Sequence, residues 1–185
     1  MKSKKKWLMA FFLMLILLSC EKKENKGSNV ENKSNTEQSE DQLVTFKDKS
    51  IERVISDFEI ISKENKIKLN NFENLKYENQ NFYMAEIASK ADSNYTISYQ
   101  GIDIKGLVLK VGVVNNSDLA MIEDMVVNLI EISDKKIAED EARAIYTELL
   151  SEIKEDKLSN SAKYKNGITY SVKIEKTGAL IFSAQ

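Results

Sequence analysis

The feature that most constrains the fold is the order in which helical and strand-like hydrophobic periods succeed one another from residue 44 onward. Apolar residues recur three or four positions apart over about 46–64, 117–132 and 133–156, which predicts three helices. Three alternating segments come after the first helix, and three more come after the third. Helices and strands segregated in this way favour an α+β fold with an antiparallel sheet. We therefore predict one domain over 44–185, in the order helix-βββ-helix-helix-βββ.

Alternation and turn residues place most of the strands. The clearest segments are Phe82–Ala88, Tyr95–Tyr99, Ile102–Val114, 168–174 and 179–183. The alternating phase switches at Gly106, where a β-bulge would return both sets of apolar residues to one face. Asn166-Gly167 is a strong hairpin-turn signal. About six strands in two meanders are expected, in one sheet or in two, and a diverged duplication of helix plus meander stays open.

The residue types that are missing exclude several classes of enzyme. The chain has no histidine and one cysteine, which excludes a Ser-His-Asp triad and both His-bearing and Cys-rich metal sites. It contains neither a Gly-x-Gly-x-x-Gly motif nor a P-loop, so nucleotide binding by those routes has no support. A serine–lysine pair stays open. We predict a protein that is not an enzyme, with no catalytic, cofactor-binding or metal-binding residues.

Carboxylates are the remaining candidates for chemistry, and Glu139, Asp140 and Glu141 form their densest cluster. One interpretation is a cation or glycosidase site. The other is that acids complement the positive end of a helix. Because three consecutive helical positions point in three directions, we favour the second interpretation, also for Asp118 and the Glu123-Asp124 pair.

Tyr95 and Tyr99 share one face of a predicted strand with Ile97. Tyrosines on an exposed sheet could stack a sugar ring or anchor a protein partner. They more often form cross-strand packing pairs, and we favour that interpretation.

The first twenty residues have the organisation of an export signal. Four lysines precede Trp7–Leu18, an apolar run too short to span a bilayer comfortably, and a small residue precedes Cys20. Leu17-Leu18-Ser19-Cys20 resembles the lipobox of bacterial lipoproteins. The resemblance implies cleavage between Ser19 and Cys20, a diacylglyceryl group on Cys20, and anchoring at an extracytoplasmic membrane surface. An ordinary signal peptide with an incidental cysteine and an uncleaved anchor helix are the alternatives.

Charge and composition characterise the chain beyond the signal. Without residues 1–19 the chain has 23 basic and 29 acidic residues, which argues against a nucleic acid partner. Residues 20–43 hold the lipidated cysteine and a polar stretch that is predicted to be a disordered tether. The expected organisation is therefore signal peptide 1–19, tether 20–43 and domain 44–185.

These observations predict a lipid-anchored binding or interaction module at the cell envelope. Its partners would be the membrane, through the lipid on Cys20, and an envelope protein or small ligand. The alternatives are a small inhibitor of an envelope hydrolase and, with less support, a carboxylate-dependent envelope enzyme.

Overall fold

A computed structural model describes residues 44–185, so the signal, Cys20 and the tether lie outside the described residues. The helices are α1 (Ile51–Glu64), α2 (Leu119–Ser133) and α3 (Glu139–Ser151). The strands are β1 (Glu73–Tyr77), β2 (Gln80–Glu86), β3 (Asn94–Gln100), β4 (Asp103–Val113), β5 (Ser159–Lys163), β6 (Thr169–Ile174) and β7 (Ala179–Ala184). Short 3-10 turns precede α1 and α2, at Phe46–Asp48 and Asn116–Asp118.

One antiparallel sheet holds all seven of these strands, in the order β1-β2-β3-β4-β7-β6-β5. The two meanders join where β4 pairs with β7, with Leu109 opposite Phe182. The mixed helix-and-sheet class with antiparallel strands is thus confirmed, but the strand number is seven and the order is helix-ββββ-helix-helix-βββ. The additional strand is β1, which reads Glu-Asn-Leu-Lys-Tyr at the sheet edge. A short, largely exposed edge strand needs no apolar alternation, so its sequence gives little signal.

The core lies between the helices and one face of the sheet. Across the central strands Tyr95, Leu109, Phe182 and Val172 stand side by side in register, and all four are buried. Helix α2 contacts both other helices as well as the sheet, and its broad apolar stripe is buried accordingly. On the opposite face Ser171 pairs with Ser183, and their Oγ atoms are 2.7 Å apart, while Val108 and Ile181 are buried nearby.

The predicted bulge in β4 is present. Ser98 pairs with Gly106, whereas Tyr99 pairs with Ile104, so Lys105 is the extra residue. Ile104 and Leu107 are therefore both buried on the core face, despite their different sequence phase.

The helix ends differ from the prediction because local caps intervene. Thr45 and Asp48 form a capping box around the first 3-10 turn, and α1 begins only after Ser50, whose side chain accepts a hydrogen bond from the Arg53 amide at 3.2 Å. Helix α3 is shorter than the predicted 133–156. The chain turns at Asp134, whose Oδ1 accepts from the Lys136 amide at 2.9 Å.

The predicted Asn166-Gly167 turn is confirmed, with Gly167 at φ +81°.

Candidate functional site

Tyr95 belongs to the core. Its side chain is fully buried, its ring lies 4.6 Å from that of Phe58, and its hydroxyl donates to the Met125 carbonyl at 2.9 Å. Burial raises the pKa of the Tyr95 hydroxyl above its usual value. The packing interpretation is confirmed for this residue, which offers no surface to a ligand.

Tyr99 also forms the cross-strand packing pair that was favoured for it, with Tyr83 on the neighbouring strand, but it lies nearer the surface than Tyr95. The ring centroids of Tyr83 and Tyr99 are 5.5 Å apart with an interplanar angle of 33°, and both side chains are half-buried. Asn74 on β1 connects the two hydroxyls. It donates from Nδ2 to the Tyr83 hydroxyl at 3.2 Å and accepts at Oδ1 from the Tyr99 hydroxyl at 3.1 Å. The three side chains therefore form one hydrogen-bonded group across β1, β2 and β3.

The strand register explains how this group reaches the surface. Asn74 pairs with Tyr83, and Tyr83 with Ile97, so the group lies on the same sheet face as the core. Ile97 is fully buried, whereas Tyr83 and Tyr99 are partly open, so the cover provided by the helices ends between them.

Two further side chains on this face complete the surface, because Lys76 pairs with Asn81 and Asn81 with Tyr99. We call the set the tyrosine surface; its members are Asn74, Lys76, Asn81, Tyr83 and Tyr99. Lys76 is the one charged member, and the set contains no carboxylate, thiol or imidazole. Its phenol, amide and ammonium groups can donate hydrogen bonds to a ligand, and the phenol and amide oxygens can also accept them.

A hairpin tip projects beside the tyrosine surface. Strands β3 and β4 are joined by the two-residue turn Gly101-Ile102, in which Gly101 has φ +63°. The Ile102 side chain is 87% exposed, the largest exposure among the large hydrophobic residues described. The sequence pattern predicts a strand at Ile102 and gives no sign of this exposure.

The carboxylates at the start of α3 have separate ion-pair partners. Glu139 lies 2.8 Å from Nη2 of Arg143, which also binds Glu123 and Asp124, each at 2.9 Å. These bonds, led by the one to Glu139, raise the pKa of the Arg143 guanidinium.

Glu141 turns instead toward the β5–β6 hairpin. It accepts from Lys165 at 2.7 Å and from the Tyr164 hydroxyl at 2.6 Å. Those two bonds, led by the one from Lys165, lower the pKa of the Glu141 carboxyl. Glu139 and Glu141 therefore belong to two different ion pairs, and residues 44–185 contain no group of three or more acidic, His or Cys side chains arranged to hold a metal.

Asp118 is also part of an ion pair. The Lys90 ammonium bonds to it and to the Val113 carbonyl at 2.8 Å, joining the turn before β3 to the end of β4. The hydrogen bond from Lys90 lowers the pKa of the Asp118 carboxyl.

Of the tyrosine surface the sequence singled out Tyr99 alone; the other four members, Asn74, Lys76, Asn81 and Tyr83, are brought to it by strand pairing. Tyr83 stands in a predicted strand, but only the pairing of β2 with β3 brings it to Tyr99. Asn74 stands outside every predicted element, since β1 is not recognisable from its pattern. No short motif identifies either residue.

No protein-family model, characterised protein or solved structure matches this chain. Within residues 44–185, none of the helices combines the length and the apolar character needed to cross a bilayer. Function must therefore be inferred from the chemistry of the residues themselves.

Proposed function

We propose that this protein is a lipid-anchored, extracytoplasmic interaction module of the bacterial cell envelope, and that the tyrosine surface binds its partner. The observation that carries the proposal is the Tyr83–Tyr99 pair, held half-exposed by Asn74. Tyrosine supplies a large amphipathic contact area and is enriched among the residues that dominate binding energy.

The geometry of the group favours binding further, because its side chains are ordered before a partner arrives. Each phenol hydroxyl is fixed by a hydrogen bond to the same amide, at 3.2 and 3.1 Å. Side chains that are already immobilised lose less conformational entropy on association. The partly open rings and amides then remain available for apolar contact and hydrogen bonding.

The anchor in this proposal rests on Leu17-Leu18-Ser19-Cys20, which lies outside the described residues. Two acyl chains on a diacylglyceryl group give stable membrane attachment, whereas one chain gives only marginal binding. A lipid at Cys20 would place the domain at the envelope, and residues 20–43 would connect the two.

A second candidate function is inhibition of an envelope hydrolase. The Gly101-Ile102 tip favours it, because a protruding loop flanked by aromatic side chains can enter an active-site cleft. Inhibition would be one form of the proposed interaction, with a hydrolase as the partner. A carboxylate-dependent enzyme is favoured less, since Asp118, Glu139 and Glu141 are all in ion pairs with lysine or arginine.

Metabolic labelling with palmitate tests the anchor. Wild-type protein should incorporate the label and fractionate with membranes, and Cys20→Ala should lose both properties. Equal labelling and fractionation of the variant would contradict the lipid anchor.

Chemical cross-linking in the native envelope tests the binding surface. Tyr99→Ala should lose the discrete cross-linked species that wild type forms. Tyr77→Ala is the matched control, because it removes a tyrosine from β1 on the opposite sheet face. Equal capture by wild type and both variants would contradict a role for the tyrosine surface.

A further inference from the structure

We propose that α1 is a hinged cover, which opens away from α2 while the rest of the domain stays folded. Opening would uncover aromatic side chains that continue the tyrosine surface, and this part of the inference rests on the proposed function. Four features of α1 carry the inference: its small apolar contact, the polar groups buried beneath it, the strained turn at its end and the ion pair that holds its beginning.

Helix α1 buries fewer apolar side chains than either of the other helices. Three of its 14 residues are buried, and one of these is Ser62. Val54 and Phe58 are the apolar pair, whereas its isoleucines are half-buried or exposed. Helix α2, by comparison, buries nine of its 15 residues, and α3 buries four apolar ones. A helix with few buried apolar contacts separates at a lower cost in free energy than its neighbours.

Polar groups lie in the contact between α1 and α2. Asn65, at the end of α1, donates from Nδ2 to Oδ1 of Asn128 on α2 at 2.6 Å. Asn128 and Ser62 are buried, yet within residues 44–185 neither Nδ2 of Asn128 nor Oγ of Ser62 has a hydrogen-bond partner of normal geometry. An unpaired polar group is costly to bury, and water satisfies both groups once the helices separate. This contact therefore lowers the cost of opening.

The end of α1 is strained and carries like charge. Lys66 has φ +57°, in the left-handed region, where a helix end usually places glycine. Burial raises the pKa of the Glu131 carboxyl on α2, Glu139 and Glu64 raise it further, and Arg143 opposes them. Glu64 on α1 thus repels Glu131 across the two helices. Fraying of the last turn relieves the strain, and separation of the helices relieves the repulsion.

The beginning of α1 is held in place. The Lys49 ammonium bonds to Asp57 on α1 at 2.8 Å and to the carbonyl of Ile132, near the end of α2, at 3.1 Å. The Lys49 side chain is 7% exposed, so this contact is shielded from solvent. Phe46, just ahead of it, is fully buried in the core. The first half of α1 therefore stays attached to α2, and opening swings the second half.

The second half of α1 covers aromatic side chains next to the tyrosine surface. The Phe58 ring lies 4.6 Å from the ring of Tyr95 and 5.7 Å from that of Phe72, which precedes β1. Tyr95 shares its strand face with Tyr99. Opening would add Tyr95 and Phe72 to the area that a partner can contact. A partner that binds the open form better shifts α1 toward it.

Native-state hydrogen exchange of the full-length protein, purified in detergent, tests the cover. In low urea, amides in the second half of α1 should exchange at least about tenfold faster than those of α2 and β4. Circular dichroism checks that the fold is intact under the same conditions. Equal exchange of the three elements at every urea concentration would overturn the inference, because α1 would then open only when the whole domain unfolds.

Two variants should keep the cover closed. Ser62→Ala combined with Asn128→Leu removes both unpaired groups, and Asn65, which is exposed, bonds to water instead. Lys66→Gly removes the strain without a change in the core. Each should slow the exchange of α1 relative to α2 at least about threefold. Ser183→Ala is the matched control, because it removes a buried hydroxyl from the opposite sheet face. Unchanged exchange of α1 in both folded variants would overturn the inference.

Capture of the partner tests the connection to the tyrosine surface. The double variant should form less of the Tyr99-dependent cross-linked species than wild type, because its open form is rarer. Equal capture by the two would overturn the regulatory role of α1 and leave the proposed function standing. Absence of Tyr99-dependent capture, together with unchanged labelling of Cys20→Ala, would overturn the proposed function, while hydrogen exchange would still decide whether α1 opens.

Discussion

The hydroxyl of Tyr99 on β3 donates a hydrogen bond to Oδ1 of Asn74 on β1, over 3.1 Å, and so connects two strands that are not adjacent. Neighbouring strands are about 4.8 Å apart, so β1 and β3 are roughly 10 Å apart. The two side chains together bridge that distance. The same amide donates from Nδ2 to Tyr83 on the strand between them. Asn74 thus uses its donor and its acceptor together, and each ring is fixed relative to the other.

The contact between the two tyrosine rings should appear as an energetic coupling. A double-mutant cycle of Tyr83→Ala and Tyr99→Ala should give about 0.5–1.5 kcal/mol in the free energy of unfolding, the range for aromatic pairs. Urea unfolding followed by circular dichroism measures it. Tyr77 and Tyr99 lie on opposite faces, so their cycle should be additive within ~0.5 kcal/mol. A coupling near zero for Tyr83 and Tyr99 would show that the rings do not stabilise each other.

Gly112 should tolerate no larger side chain. A Cβ atom there would lie 2.4 Å from the Ala91 carbonyl oxygen, a backbone atom that cannot rotate away. We expect Gly112→Ala to destabilise the protein by about 1–3 kcal/mol through overpacking, measured as a shift in the urea midpoint. Gly106→Ala, on the same strand, is the comparison. Its nearest contact would be 3.2 Å, so the loss should be smaller. Equal losses at the two positions would contradict the steric explanation.

The acidic cluster at the start of α3 should be structural. Replacing Glu139 and Glu141 by Gln and Asp140 by Asn removes the Glu139–Arg143 and Glu141–Lys165 ion pairs, while Arg143 keeps those with Glu123 and Asp124. We expect a small fall in the melting temperature and unchanged partner capture, because these contacts are on the protein surface. Complementation of a deletion strain, with protein level checked by blotting, measures the biological role. Normal abundance with complete loss of complementation would indicate carboxylate-dependent chemistry.

Glu131 should make stability depend on pH. Partial burial raises its pKa above the ordinary 4.5, and the neighbouring charges of Glu139 and Glu64 add to the effect while Arg143 opposes it. Because the folded protein then binds the proton more tightly than the unfolded chain, stability falls as pH rises from about 4.5 through the raised pKa.

Glu131→Gln removes this dependence. The variant should be more stable than wild type at pH 7, and its advantage should shrink as the pH falls toward 4. Urea unfolding at both pH values measures the difference. A gap between variant and wild type that is constant with pH would contradict the assignment to Glu131.

Local patterns were sufficient for much of the fold. The bulge at Gly106 was predictable from a switch in alternation, and the Asn166-Gly167 turn from its preference for positive φ. Helix α3 was predicted too long, because the hydrophobic period continues beyond both of its ends. Strand β1 was missed, because an edge strand does not need apolar alternation.

What the sequence by itself determined is the set of local elements: three helices, the positions of five of the seven described strands, and the turns between most of them. Periodicity and turn chemistry act over a few residues, so a single chain displays them directly. The tertiary structure decided which tyrosine was buried and which was not. Tyr95 and Tyr99 share a strand face, but α2 covers only the first, and Asn74 and Tyr83 reach the second through strand pairing. Register and helix cover depend on contacts between distant segments, so the candidate binding surface existed only once the chain had folded.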